Sequence, residues 1–110
     1  MTTLYLVKSN PVRGKEAEFN DWYTQVHMKE VLQVPGFRSA QRFELTPEQM
    51  IETQAHQYLA LYEIDGEAVA ETIAAIKSAG WMQMSDAMDF GSLEVSVFTS
   101  LTDRIEANQG

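Results

Sequence analysis

The chain has 110 residues, no cysteine, an apolar content of 45% and a formal charge of −8 at neutral pH. That length fits a single globular domain, and the lack of cysteine excludes disulfides, thiolate metal sites and a cysteine nucleophile. The acidic balance argues against nucleic acid and against anionic membrane surfaces, both of which require a surplus of lysine and arginine.

No stretch approaches the roughly 18 apolar residues of a membrane span. The N-terminal "MTTLYLVKSNPVRGKEAEF" lacks a basic segment followed by a long apolar run, so no signal peptide is expected. A cytoplasmic location is the corresponding expectation.

The first predicted element is a strand over residues 3–9, "TLYLVKS", rich in β-branched and aromatic residues. "NPVRG" breaks it. From Lys15 the period becomes helical: Phe19, Trp22, Tyr23 and Val26 fall at i, i+3, i+4 and i+7, while Glu18, Asn20, Thr24 and Gln25 form the solvated side. "VPG" at 34–36 ends this helix. A second strand is predicted over 37–45, "FRSAQRFEL". In the polar "TPEQMIETQA" that follows, Thr46 is placed to cap a single helical turn with Pro47 at its first position. The clearest strand is 56–64, "HQYLALYEI". "DGE" turns the chain into a second helix over 67–79, stopped at Gly80. "WMQMSDAMDFG" reads as a methionine-rich loop, 92–101 as a last strand, and 102–110 as a tail outside a domain of residues 1–101.

The order βαββαβ predicts an α+β, ferredoxin-like fold: a four-stranded antiparallel sheet with two helices on one face. The bare face should then be polar, yet the third predicted strand has Tyr58, Ala60, Tyr62 and Ile64 on one side and Leu59 and Leu61 on the other. The last strand likewise sets Leu93, Val95 and Val97 against Phe98. A sheet apolar on both faces needs a second cover, and the simplest is another copy of the chain. A homodimer packed sheet to sheet is therefore expected.

"SNPVRGKEAEFNDWYTQVHMKEVLQVPGF", followed by "SAQRFEL" and later "YLALYEI", resembles the dimeric α+β barrel superfamily, and within it the EthD-like family. The shared feature is a helix bearing Trp-Tyr and a nearby histidine before a "VPGF" turn. The resemblance spans residues 3 to about 101. Many relatives have proline two residues after the histidine, where this chain has Lys29. The resemblance implies a pocket between helices and sheet for a small hydrophobic or aromatic molecule. Related barrels include cofactor-free oxygenases, polyketide cyclases, lactone isomerases and haem-degrading enzymes, and fold alone does not choose among them.

Only two histidines are present. On an ideal helix His27 lies about 80° from Phe19, at the border of the apolar stripe. There it is either a half-exposed structural residue or, as the resemblance implies, a pocket-facing general acid/base. An unperturbed imidazole titrates near neutrality and suits enolisation, ring closure or isomerisation α to a carbonyl. His56 is predicted in phase with Tyr58 and Tyr62, so His56 or Tyr58, with Tyr23, would assist by polarising a substrate oxygen. Trp22, Tyr62, Trp81, Met82, Met84 and Met88 are the candidate substrate-binding residues. The methionines of the 81–91 segment are suited to a flexible pocket wall or lid.

No histidine or carboxylate cluster has metal-ligand spacing, no glycine-rich phosphate loop is present, and no serine stands in a nucleophile elbow. The leading expectation is a cofactor-independent enzyme of lyase, isomerase or cyclase type, in a catabolic or polyketide-type pathway. A non-catalytic binder of a hydrophobic metabolite is the alternative, and a haem-handling barrel is a third.

Overall fold

A computed structural model describes residues 1–108. Strand β1 (Thr3–Pro11) leads into one long helix built in three parts: α1 (Glu16–Trp22), a π-helical turn (Tyr23–His27) and α2 (Met28–Val31). Strands β2 (Phe37–Glu44) and β3 (Tyr58–Ile64), helix α3 (Val69–Lys77) and strand β4 (Met88–Thr99) complete the chain. The four strands form one sheet in the order β2-β3-β1-β4, with every neighbouring pair antiparallel. This is the ferredoxin-like α+β arrangement that the element order predicts.

Strand register sorts the side chains onto two faces. Tyr5 pairs with Tyr62 and Val97, and Val7 with Ala60 and Val95, so these residues share the face that meets the helices. Phe19, Tyr23 and Val31 are buried against it, and Tyr5, Phe37 and Tyr62 interlock edge to face with ring centroids 5.2–6.0 Å apart. The alternate residues, among them Leu4, Leu6, Phe43, Leu59, Leu61 and Phe98, lie on the helix-free face.

Two glycines shape the entry to and exit from the long helix. Gly14 (φ +86°) turns the chain, and its N–H donates to Glu16 Oε1 at 3.2 Å. Gly36 (φ +99°) sits directly against Thr72 of α3, where an added Cβ would collide with the threonine hydroxyl. Both the positive φ and the close packing restrict that position to glycine.

Three local expectations are corrected. Residues 46–57 form no helical turn. Thr46 Oγ1 instead donates to the Glu48 carbonyl, and Gln49 Nε2 to the Thr46 carbonyl, giving an irregular polar excursion. Strand β3 begins at Tyr58, so His56 is not part of its tyrosine row. Strand β4 begins at Met88, four residues early, because Asn10 and Pro11 of a bulged β1 pair with Asp89 and Met88. Met88 is thereby a buried core residue rather than part of a loop. The tail is irregular through Asn108, and its positions 109 and 110 lie outside the described residues.

Candidate functional site

The π-helical turn is what aims His27. The Met28 N–H donates to the Tyr23 carbonyl, an i→i+5 bond that inserts one extra residue into the helix. In a straight α-helix residues five apart lie about 140° apart around the axis and cannot face each other. Here the wider turn stacks His27 on Trp22, with ring centroids 4.7 Å apart and planes at 23°. Tyr23 meets the same imidazole edge-on at 4.9 Å and 87°. The histidine leaves the border of the apolar stripe and is held in an aromatic clamp.

His27 and Tyr23 line a cavity of about 100 Å³ between the helices and the sheet, together with Tyr62, Met84, Met88 and Val31. Leu93 and Val95 of β4 contribute its partly exposed apolar rim. Two polar atoms are buried here without a hydrogen-bond partner among the described residues, His27 Nδ1 and the Tyr23 hydroxyl. The Tyr62 phenol is near enough to interact with Tyr23, but no hydrogen bond of acceptable geometry reaches the Tyr23 oxygen.

Burial dominates the electrostatics. It brings His27 down to about 4, against a weaker upward pull from the Glu30 carboxylate, so the imidazole is neutral at physiological pH. This departs from the expectation of titration near neutrality, which assumed an unperturbed imidazole in the pocket. Burial pushes Tyr23 up to about 12, opposed by Tyr62 and Arg42, and raises Tyr62 further. Both phenols therefore keep their protons. The Arg42 guanidinium lies 4.6 Å from the Tyr23 ring centroid, anchored by Nη2 donating to Asn20 Oδ1 (2.8 Å) and Nη1 to Thr24 Oγ1 (3.0 Å).

The segment after α3 closes one side of the cavity. Trp22 Nε1 donates to the Gln83 carbonyl at 2.7 Å, and the Gln83 N–H donates to Glu30 Oε1 at 2.8 Å. Both anchors come from the helix that carries His27, and Met84 follows directly. The segment is latched to the site by two hydrogen bonds.

The structure thus brings His27, Tyr23, Tyr62, Met84 and Met88 to one cavity, with Trp22 stacked behind the imidazole. It does not bring the others there. Tyr58 accepts a hydrogen bond from Asn20 Nδ2 and contacts Phe19, outside the cavity lining. His56 engages the Ser92 carbonyl and Glu94, away from the tyrosine row, because the strand that would have carried it starts two residues later. Trp81 is half exposed, and Met82 packs against the core without lining the cavity. Sequence reasoning missed Tyr5, Glu30 and Arg42. Tyr5 also lines the cavity and lies within the predicted first strand, whereas the roles of Glu30 and Arg42 depend on contacts 53 and 22 residues away.

No protein-family model matches the chain, and no curated protein matches it in sequence. Among solved structures it is similar to an ethyl tert-butyl ether degradation (EthD) family protein from Bacillus halodurans C-125, with a TM-score of 0.60 and 16% identity over 92% of this chain and 100% of that one. It is also similar to a mutant form of SnoaB, a cofactor-independent oxygenase from Streptomyces nogalater (TM-score 0.52, 17% identity, 94% and 98% covered). HapK from Hahella chejuensis is similar at a TM-score of 0.50 and 13% identity, with 98% and 100% covered. At these identities the likeness speaks for the fold: the chain has the ferredoxin-like architecture of the dimeric α+β barrel group.

Proposed function

We propose that this protein is a cofactor-independent enzyme that withdraws a proton from a small hydrophobic carbonyl or aromatic compound held between the helices and the sheet. The observation that carries this reading is the pair of unpartnered buried polar atoms, His27 Nδ1 and the Tyr23 hydroxyl, in one apolar cavity. Leaving such a group unpaired costs about 1–3 kcal/mol, and a ligand that pairs with both recovers that cost.

The chemistry follows from the two protonation states. Neutral His27 has a free lone pair to take a proton from an acidic C–H or O–H. Tyr23 keeps its proton and donates to the oxygen on which negative charge develops, a stabilisation that is strongest in a water-excluded site. As the substrate anion forms, the new imidazolium is favoured by that anion and by Glu30. Reprotonation elsewhere gives an isomerase, and attack on a second carbonyl gives a cyclase. If the anion instead reduces dioxygen, an aromatic CH₂ and O₂ become C=O and H₂O, the substrate supplying all four electrons. The likeness to a protein described as a cofactor-independent oxygenase favours that last outcome.

The cavity in its latched form has room for only about three waters. Met84 is half exposed at its rim, so movement of the Gln83–Met84 segment would widen the cavity for substrate. The test is turnover of aromatic ketones with an acidic ring methylene, followed by oxygen uptake and product analysis. His27→Gln should lower turnover by at least about 100-fold while ligand affinity changes little. If neither protein consumes any member of the panel and the substitution alters only affinity, the molecule is a binding protein.

We further infer a homodimer packed sheet to sheet, supported by the apolar side chains exposed on the helix-free face.

A further inference from the structure

Arg42 stands on β2 with Ala60 as its cross-strand partner, and Val7 lies beyond Ala60, so its side chain rises from the sheet face that meets the helices. There it meets three aromatic rings. Its guanidinium carbon lies 4.6 Å from the ring centroid of Tyr23, 5.4 Å from that of Tyr58 and 5.5 Å from that of Phe19. The group is held in place from the long helix. Nη2 donates to Asn20 Oδ1 at 2.8 Å, and Nη1 donates to Thr24 Oγ1 at 3.0 Å and to the Asn20 carbonyl at 3.4 Å. Asn20 Nδ2 in turn donates to the Tyr58 hydroxyl, which closes a brace between helix and sheet. Arg42 does not itself line the cavity that holds His27.

A guanidinium stays charged even when half-buried, and this one forms no ion pair among the described residues. Glu44, two residues along the strand, acts on it only at longer range than an ion pair. Its charge is thus left to the aromatic rings. A cation over a neutral phenol gains the attraction of the ring's electron-rich face. It gains more as the phenol takes on anionic character, because an opposite charge then faces it. The contact therefore favours a Tyr23 oxygen that gives up part of its hydrogen. Of the other groups that face Tyr23, Tyr62 acts in the same direction and Tyr5 against it, while His27 is neutral near pH 7. Burial outweighs these effects and keeps the phenol protonated.

We infer that Arg42 is a positioning residue for Tyr23: its charge, held over the ring, makes the Tyr23 hydroxyl a stronger hydrogen-bond donor to an oxygen that becomes negative in the cavity. That hydroxyl is buried without a partner, so its donor strength is available to a ligand. Charge developing on the ligand oxygen is shared with the phenol and met by the guanidinium beyond it, with Arg42 outside the cavity lining. The inference rests on the reading of Tyr23 as the donor in the proposed reaction.

The experiment replaces Tyr23 by 3,5-difluorotyrosine, whose phenol titrates at lower pH than that of tyrosine, and follows it by fluorine NMR. In Arg42→Gln its midpoint should rise by about one pH unit or more. Arg42→Lys keeps a cation within reach of the ring, so its midpoint should stay nearer the parent value. Arg42→Met serves the same comparison if circular dichroism shows that the glutamine variant does not fold. With an aromatic ketone that the wild type turns over, Arg42→Gln should lower kcat about tenfold and change KM by less than about twofold. In a Tyr23→Phe background the same substitution should cost nothing further, because the group through which it acts is gone. Equal midpoints with and without the charge, a lysine variant that titrates like the glutamine one, or kcat losses that add in the double variant would each overturn the inference. An arginine that only braces the helix would give the first of these results together with lowered stability. The fluorine titration needs no substrate, so a wild type that turns over no ketone would refute the proposed reaction, while the midpoint still decides the coupling of Arg42 to Tyr23.

Discussion

His27 and Tyr23 make the strongest statements at the scale of single residues, because each is costly where it stands. With a folded pKa of about 4 against 6.5 when unfolded, the unfolded chain takes up a proton at residue 27 first as pH falls. The stability associated with the neutral buried ring is fully present above about pH 6.5. It is lost as pH drops toward 4, a change of roughly 3 kcal/mol for the full shift. Urea denaturation from pH 7 to 4 should therefore show a steeper loss for wild type than for His27→Gln, which has nothing to titrate; parallel profiles would mean that the ring is hydrated. Turnover should likewise show no pH dependence from His27 titration near neutrality and fall only as pH approaches 4. Tyr23→Phe removes an unpaired buried hydroxyl, so thermal stability should stay level or rise by up to about 1 kcal/mol. Turnover in the same variant should drop at least about tenfold, since the developing anion loses its donor. A destabilised, fully active Tyr23→Phe would contradict both halves of that argument.

Among the elements, the long helix and the segment after α3 act together. The π-helical turn brings Trp22 and His27 into register, and the same helix supplies both anchors of Gln83. Glu30→Ala deletes one anchor without touching the cavity lining. The Gln83 amide should then exchange hydrogen at least about tenfold faster, corresponding to the loss of about 1.5 kcal/mol of local protection. Methyl resonances of Met84 should broaden or shift with it, while those of buried Met88, fixed in β4, stay put. Ligand saturation should reverse the Met84 change if the segment closes over substrate. An unaltered Gln83 exchange rate would show that other contacts hold the segment.

The whole molecule presents an apolar sheet face with no helix over it. Phe98 is 60% exposed and Phe43 41%, beside the partly exposed Leu4, Leu6, Leu59 and Leu61. A contiguous apolar face of this kind marks an association surface more often than bare solvent contact. A two-fold sheet-to-sheet dimer buries it with one self-complementary patch. Light scattering should give about twice the 12.4 kDa chain mass. Leu61→Glu would set charges opposite one another across the axis and should yield a monomer with native-like circular dichroism. A wild-type protein that stays monomeric at micromolar concentration would refute the arrangement.

The fold was legible in the chain alone, since the β-branched and aromatic content of β1, the apolar run of β3 and the period-3.6 spacing from Phe19 to Val26 each select one element type. The sequence also singled out His27, Tyr23 and Tyr62 as candidates, the first two through the family-like helix and Tyr62 through its place in the third predicted strand. What it did not contain was the aim of the imidazole. A π insertion is stabilised by packing against the sheet rather than by local propensity, so an ideal-helix projection leaves His27 at the border of the stripe. The protonation state of His27 was hidden for the same reason, because its burial comes from packing between the helix and the sheet, beside Tyr62 and Met88, and not from the helix alone. His56 was misassigned because alternation continues on paper beyond the point where the strand ends. Its partners, Ser92 and Glu94, lie 36 and 38 residues on and meet it only through β4 pairing with β1. Local sequence specifies which face a residue takes. Only the tertiary structure decides which distant groups share that face, and hence which atoms are left unpaired for a ligand.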